Sequence, residues 1–272
     1  MPVYFASHTL HLGDLRFSYR AAGNPRGFPV VLLHGISSGA ASWAGCAAAL
    51  TEQDGVRVLA WDAPGYGGST NLPQAAPTAA DYAGHLRHWL DAVKVERCVL
   101  VGHSLGALMA GAFAQQNPQR VQALLLASPA IGYGDAPDRA QVRAKRLQGL
   151  QAGIPDIAEK LPDRLLSVHA TDAQREQVRE VARQLHPEGY AQAVHMLCSE
   201  NLHRYTNLPA ATQVCCGELD VVTTSEQSRA YAEQQGLPFT LIPQAGHASP
   251  VEQPAALAQI ILPFLPGVPR YA

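Results

Sequence analysis

Short runs of consecutive apolar residues recur along the first half of the chain, each closed by Gly, Pro, Asn or Asp and followed by a longer stretch of helical periodicity. The runs at 29–33, 56–61, 98–101 and 121–127 are continuous, which predicts strands covered on both faces by helices. Helices are expected at 40–51, 78–93 and 105–116, the last stopped by Asn117-Pro118. The opening differs: the segments 9–12 and 15–21 flank Gly13-Asp14 and read as a hairpin. Beyond 129–134 the strand signal stops. Residues 138–205 are rich in Ala, Gln, Arg, Glu and Leu and are interrupted by Pro155, Pro162 and Pro187, a pattern of several short helices. Strands return at 211–216 and 238–242 around a helix at 225–235, and a last helix is expected at 254–264. The fold class is α/β, a mostly parallel sheet with helices on both faces and a helical insertion after the sixth strand. Residues 1–131 and 207–272 are read as the core and 132–206 as the insertion.

The 272 residues are 47% hydrophobic and 15% charged, which excludes a mainly disordered chain. Twenty Lys+Arg against 22 Asp+Glu leave a net charge of -2, so neither nucleic acid nor an anionic membrane is an expected partner. The first ten residues lack a basic segment followed by an apolar one, and no run approaches the ~20 apolar residues of a membrane span. A soluble, cytoplasmic protein is expected. The five cysteines (Cys46, Cys98, Cys198, Cys215, Cys216) are scattered, without C-x-x-C or zinc spacing, and read as buried thiols rather than metal ligands.

Candidate chemistry begins at Gly102-His103-Ser104-Leu105-Gly106, a G-x-S-x-G pattern between a buried-type strand and a helix. The glycines make room for a strained serine at the apex of the turn. A serine hydroxyl needs a base, and of the eleven histidines His247 is the candidate, on a loop between the last strand and last helix. His8, His11, His85, His88, His169, His186, His195 and His203 read as surface or packing residues. Asp220, after the strand at 211–216, is the preferred partner for the imidazole; Glu218 is the alternative, and Asp135 a weaker one. A tetrahedral oxyanion would be received by the backbone amides of Ile36, at a Gly turn after the third strand, and Leu105, the first residue of a helix.

Taken together, His34-Gly35, the Gly- and Pro-rich loop 61–69, Gly102 to Gly106, Gly217-Glu218-Leu219-Asp220 and Gly246-His247 stand in an order that resembles the α/β-hydrolase fold superfamily, in its branch with a helical cap. The resemblance implies a Ser-His-Asp triad, an amide oxyanion hole, no cofactor, a cap that shapes the pocket and a structural role for the loop 62–69. It implies a serine hydrolase acting on a small carboxylic ester or lactone. Hydrolysis of a carbon–carbon bond in aromatic ring-cleavage products is the alternative chemistry, since Ser42-Trp43 resembles those enzymes. A non-catalytic small-ligand-binding relative is the alternative of another class. His34, Trp43, Tyr133 and Met196 are candidate pocket walls. Arg139, Arg143 and Arg146, at helical spacing, could form a cationic face that attracts an anionic substrate but are read in preference as a solvated face, and Arg175, Arg179 and Arg183 as ion-paired surface.

Overall fold

The computed structural model describes residues 5–267; residues 1–4 and 268–272, which the expected core range and the reading of the first ten residues include, lie outside the described residues. Strands β1 (Ala6–Leu12) and β2 (Leu15–Gly23) form the expected hairpin, with Leu12 opposite Leu15 across the Gly13-Asp14 turn. The remaining strands are β3 (Phe28–Leu33), β4 (Val56–Trp61), β5 (Cys98–His103), β6 (Val121–Ala127), β7 (Thr212–Gly217) and β8 (Phe239–Ile242). They form one eight-stranded sheet in the order β1-β2-β4-β3-β5-β6-β7-β8. Pairing is antiparallel for β1–β2 and β2–β4 and parallel from there on.

The continuous apolar strands serve two cores because successive side chains leave opposite faces. Val31 and Leu33 of β3, Leu59 and Trp61 of β4 and Leu100 of β5 pack on one side. Val30, Leu32, Val58, Ala60, Val99 and Val101 pack on the other. A register shift at Cys98/Val99 lets β6 place Val121 and Leu124 on the same side although three residues apart.

Helices α1 (Ala44–Leu50) and α10 (Pro254–Ile261) cover one face, while α2 (Ala79–Ala92), α3 (Leu105–Gln116) and α8 (Ser225–Gln235) cover the other. Thr78 opens α2 through a reciprocal capping box with Asp81, and Thr224 opens α8 likewise with Gln227. Every residue of α3 from Leu105 to Ala114 is buried, as expected of a helix that is apolar all round.

Between β6 and β7 lie only helices: α4 (Arg139–Gly149), α5 (Ile154–Leu165), α6 (Asp172–Ala182) and α7 (Pro187–Ser199). Pro155 and Pro187 sit in first turns, where the missing N–H costs nothing. Pro162 differs from expectation, lying inside α5 rather than breaking it, one turn from the end. The expected helix 40–51 begins instead as a 3-10 turn, Ala40–Trp43, because the Ala40 amide donates to Asp62 Oδ1 at 2.8 Å. The last helix ends at Ile261 in a 3-10 turn, and a short α9 (Ser249–Glu252), not read from the sequence, precedes it. All five cysteines are free and buried. No helix among the described residues is long and apolar enough to cross a membrane.

Candidate active site

Ser104 stands between the end of β5 and the start of α3 with φ 53° and ψ -117°, a left-handed conformation that few side chains adopt. The turn is possible because its neighbours come close without Cβ atoms. A Cβ on Gly106 would lie 2.5 Å from the Leu33 carbonyl oxygen, and one on Gly35 would lie 3.1 Å from Ser104 Cβ. Gly106→Ala is therefore expected to destabilise the fold by about 1–3 kcal/mol, through a forced shift of α3 from β3, read as a lower denaturant midpoint. An unchanged midpoint would mean the elbow tolerates the extra carbon.

Asp220 ends the turn after β7 and is buried. Its Oδ1 accepts from the amides of Val222 at 2.8 Å and Thr223 at 3.0 Å, and its Oδ2 accepts from His247 Nδ1 at 2.8 Å. Burial pushes this carboxyl up, but the hydrogen bond and charge of His247 and the two amides overcome it and hold it at about 2. An ionised carboxylate only accepts, so Nδ1 carries a proton toward it and Nε2 is the ring nitrogen left to receive one from a nucleophile.

The hydroxyl of Thr223 adds a brace, 3.0 Å from both Asp220 Oδ2 and the Ser128 carbonyl oxygen and 3.2 Å from His247 Nδ1. Cys216 Sγ faces the same carboxylate at 3.6 Å and donates to the Thr223 carbonyl at 3.2 Å. Burial and the Asp220 charge raise this thiol to about 12, so it is a neutral donor. Glu218 is exposed and receives the Gln244 amide at 3.1 Å, and Asp135 pairs with Arg204 on the surface. Neither meets the imidazole.

Ser104 and His247 line one cavity of about 490 Å³, with Ile36, Leu105 and Tyr133 also in its wall. Among the described residues the Ser104 hydroxyl makes no hydrogen bond, and the amides of Ile36 and Leu105 donate none. The Leu105 amide also lies at the positive end of α3. The Ile36 turn is held from behind, where Tyr66 donates its hydroxyl to the Ile36 carbonyl at 2.7 Å.

Of the candidate walls, Tyr133 faces the cavity and the other three do not. His34 is buried beside it, where Nε2 accepts the Ala63 amide at 3.0 Å and burial keeps the ring neutral. Trp43 is buried edge-on against His103 at 6.2 Å, and Met196 of α7 is spent on the core. His103 itself lines the cavity. Burial, then the neighbouring His247, lowers it to about 3, so its Nε2–H donates to the His247 carbonyl at 2.8 Å and fixes that loop.

His203, read as a surface or packing residue, is in the cavity wall against Tyr231. Arg146 also lines the cavity, which corrects the reading of its helix face as wholly solvated; Arg164 of α5 is the other cation there. Glu252, buried, ties the site to the insertion by accepting the Ser167 amide at 2.7 Å and the Gly246 amide at 2.8 Å. In the loop 62–69, Asp62 Oδ2 receives Ser18 Oγ at 2.7 Å, holding the turn after β4.

Comparison with known proteins gives the same fold. A thermophilic esterase from Thermogutta terrifontis, solved with malate bound, matches at a TM-score of 0.82 and 26% identity over 94% of this chain and 96% of that one. The enol-lactonase of Burkholderia xenovorans LB400 shares the fold at a TM-score of 0.82 and 23% identity, over 94% of this chain and 99% of that one. The abhydrolase domain-containing protein abhd-5.2 of Caenorhabditis elegans is 35% identical over 129 residues, 45% of this chain, which spans only 28% of that protein's length. The description "Alpha/beta hydrolase family" fits residues 30–260, a stretch that runs from β3 into α10 and carries the elbow, the Asp220 turn and the His247 loop, and the chain belongs to that family.

Proposed function

We propose that this protein is a serine hydrolase that cleaves a small carboxylic ester or lactone through an acyl-enzyme. The observation that carries the reading is the strained Ser104 in one cavity with a buried imidazole whose Nδ1 is held by Asp220 at 2.8 Å. Ser104 Oγ attacks the carbonyl carbon as its proton passes to His247 Nε2, and Asp220 stabilises the resulting imidazolium. The amides of Ile36 and Leu105 receive the oxyanion. Collapse breaks the ester bond, and the alkoxide leaves with the proton from Nε2. Water then attacks the acyl-enzyme by the same route and frees the acid. In this reading residues 132–206 form a cap that closes the cavity over a core of 1–131 and 207–272. The esterase and enol-lactonase with which the chain shares its fold fit this chemistry, and both candidate bonds are carboxylic esters.

The test is covalent labelling with a fluorophosphonate, located by peptide mass. Labelling on Ser104 is the expected result. A folded protein that resists the reagent would overturn the reading in favour of a ligand-binding family member without turnover.

A further inference from the structure

The wall of the cavity carries charge of one sign. Arg146 from α4 and Arg164 from α5 line it beside His103, His203 and His247, and no Asp or Glu is among its described lining residues. Elsewhere most cations of the insertion are paired, and Arg143 and Lys145 of α4, unpaired among the described residues, are exposed and outside the cavity. Lys160 meets Asp156 at 2.8 Å, Arg175 meets Asp163 at 2.7 Å, and Arg183 reaches both Glu159 and Glu176 at 2.7 Å. Arg139, on the helix of Arg146, donates to the Gly134 carbonyl at 2.8 Å. Among the described residues Arg146 and Arg164 have no hydrogen bond and no ion pair.

A single arginine at a rim extends into water at little cost. Two that approach each other in a partly desolvated wall repel: burial, then the charge of Arg146, lowers the affinity of Arg164 for its proton. Leu161 and Leu165 flank Arg164 on α5 and make the adjoining wall apolar. A ligand suited to this wall has an aliphatic body and an anionic end, and the forked guanidinium matches the two oxygens of a carboxylate.

We propose that the preferred substrate is an ester or lactone bearing a free carboxylate, which Arg146 and Arg164 receive while the scissile carbonyl lies at Ser104. This rests on the serine-hydrolase reading for the bond cleaved, but not for the anion site. The carboxylate takes no part in bond breaking; it fixes which acyl chain reaches the serine.

The test has two arms. In the first, monomethyl esters of straight-chain dicarboxylic acids are compared with methyl esters of monocarboxylic acids of equal length. The wild type is expected to favour the acid ester of best-fitting length by about tenfold or more in kcat/KM, chiefly through KM. Arg146→Gln and Arg164→Gln should each reduce that ratio about tenfold, and Arg146→Lys should restore part of it. In the second arm, calorimetry measures binding of the matching dicarboxylate to the Ser104→Ala protein, with and without both Gln substitutions, whose folding is read by melting. Binding weakened about tenfold or more by the Gln pair supports the site whether or not any ester is hydrolysed. A wild-type preference for the neutral ester, dicarboxylate binding indifferent to both arginines, or tighter binding of an alkyl phosphate would overturn the proposal. Arginine-dependent dicarboxylate binding with no turnover of either ester class would overturn the hydrolase reading and leave the anion site standing.

Discussion

Ser104→Ala is expected to lower kcat on a short-chain aryl ester by about 10⁵–10⁶, with KM and melting temperature little changed. The separation of effects follows from what the hydroxyl does in the free protein. Its Oγ has no hydrogen bond among the described residues, so removing it orphans no buried partner. The backbone strain at φ 53° remains with Ala, because the elbow is fixed by the contacts of Gly35 and Gly106 rather than by the serine side chain. The Ile36 and Leu105 amides and the His247–Asp220 pair stay in place, which leaves a small residual rate over water. Turnover within tenfold of the wild type would remove Ser104 from the reaction. Loss of turnover with a much lower melting temperature would instead point to a collapsed elbow.

What could be read from the sequence was local. Strands β4 and β6 and helices α3 and α8 fall at the expected limits because their apolar runs and their caps or stops are encoded within a few residues of one another. The elbow was legible for the same reason. The misreadings and the residues left unread occur where a distant group decides. Ala40 starts a 3-10 turn because Asp62, beyond the next strand, accepts its amide. Glu252 is a buried carboxylate because it receives amides from Ser167 and Gly246, one of them in the insertion. No pattern near Glu252 announces that. Thr223 carried a weak signal, since an Asp followed by free amides two and three residues later favours a local turn. Arg146, Arg164 and His203 face the cavity because of how α4, α5 and the end of the insertion dock on the sheet. Helical periodicity marks which residues share a face, but not what that face meets.

Asp220→Asn is expected to cost about 10⁴ in kcat, because it forces the imidazole into the wrong tautomer. In the wild type the groups facing the carboxylate are donors: the Val222 and Thr223 amides on Oδ1, and His247 Nδ1, the Thr223 hydroxyl and the Cys216 thiol on Oδ2. Asn offers one oxygen and one NH₂. Turning the NH₂ toward the two backbone amides sets it against two donors that cannot change. Turning it toward His247 sets it against the imidazole, the Thr223 hydroxyl and the Cys216 thiol, each of which can turn or change tautomer to accept, so the second arrangement wins. Nδ1 then gives up its proton and accepts, the proton resides on Nε2, and the atom that should receive the Ser104 proton already holds one. The substitution also has a signature in stability. The Asp220 carboxyl is held at about 2 against an ordinary 3.8, so its ionised form adds about 2 kcal/mol to the folded state. That contribution is fully present above pH about 4 and is lost as pH falls toward about 2. Denaturant unfolding should therefore show the wild type more stable than Asp220→Asn at neutral pH, with the gap closing across that acid interval. A gap independent of pH would mean that the lost stability comes from packing. Turnover near that of the wild type would mean that the proton on Nδ1 is held by another group, Thr223 being the nearest at 3.2 Å.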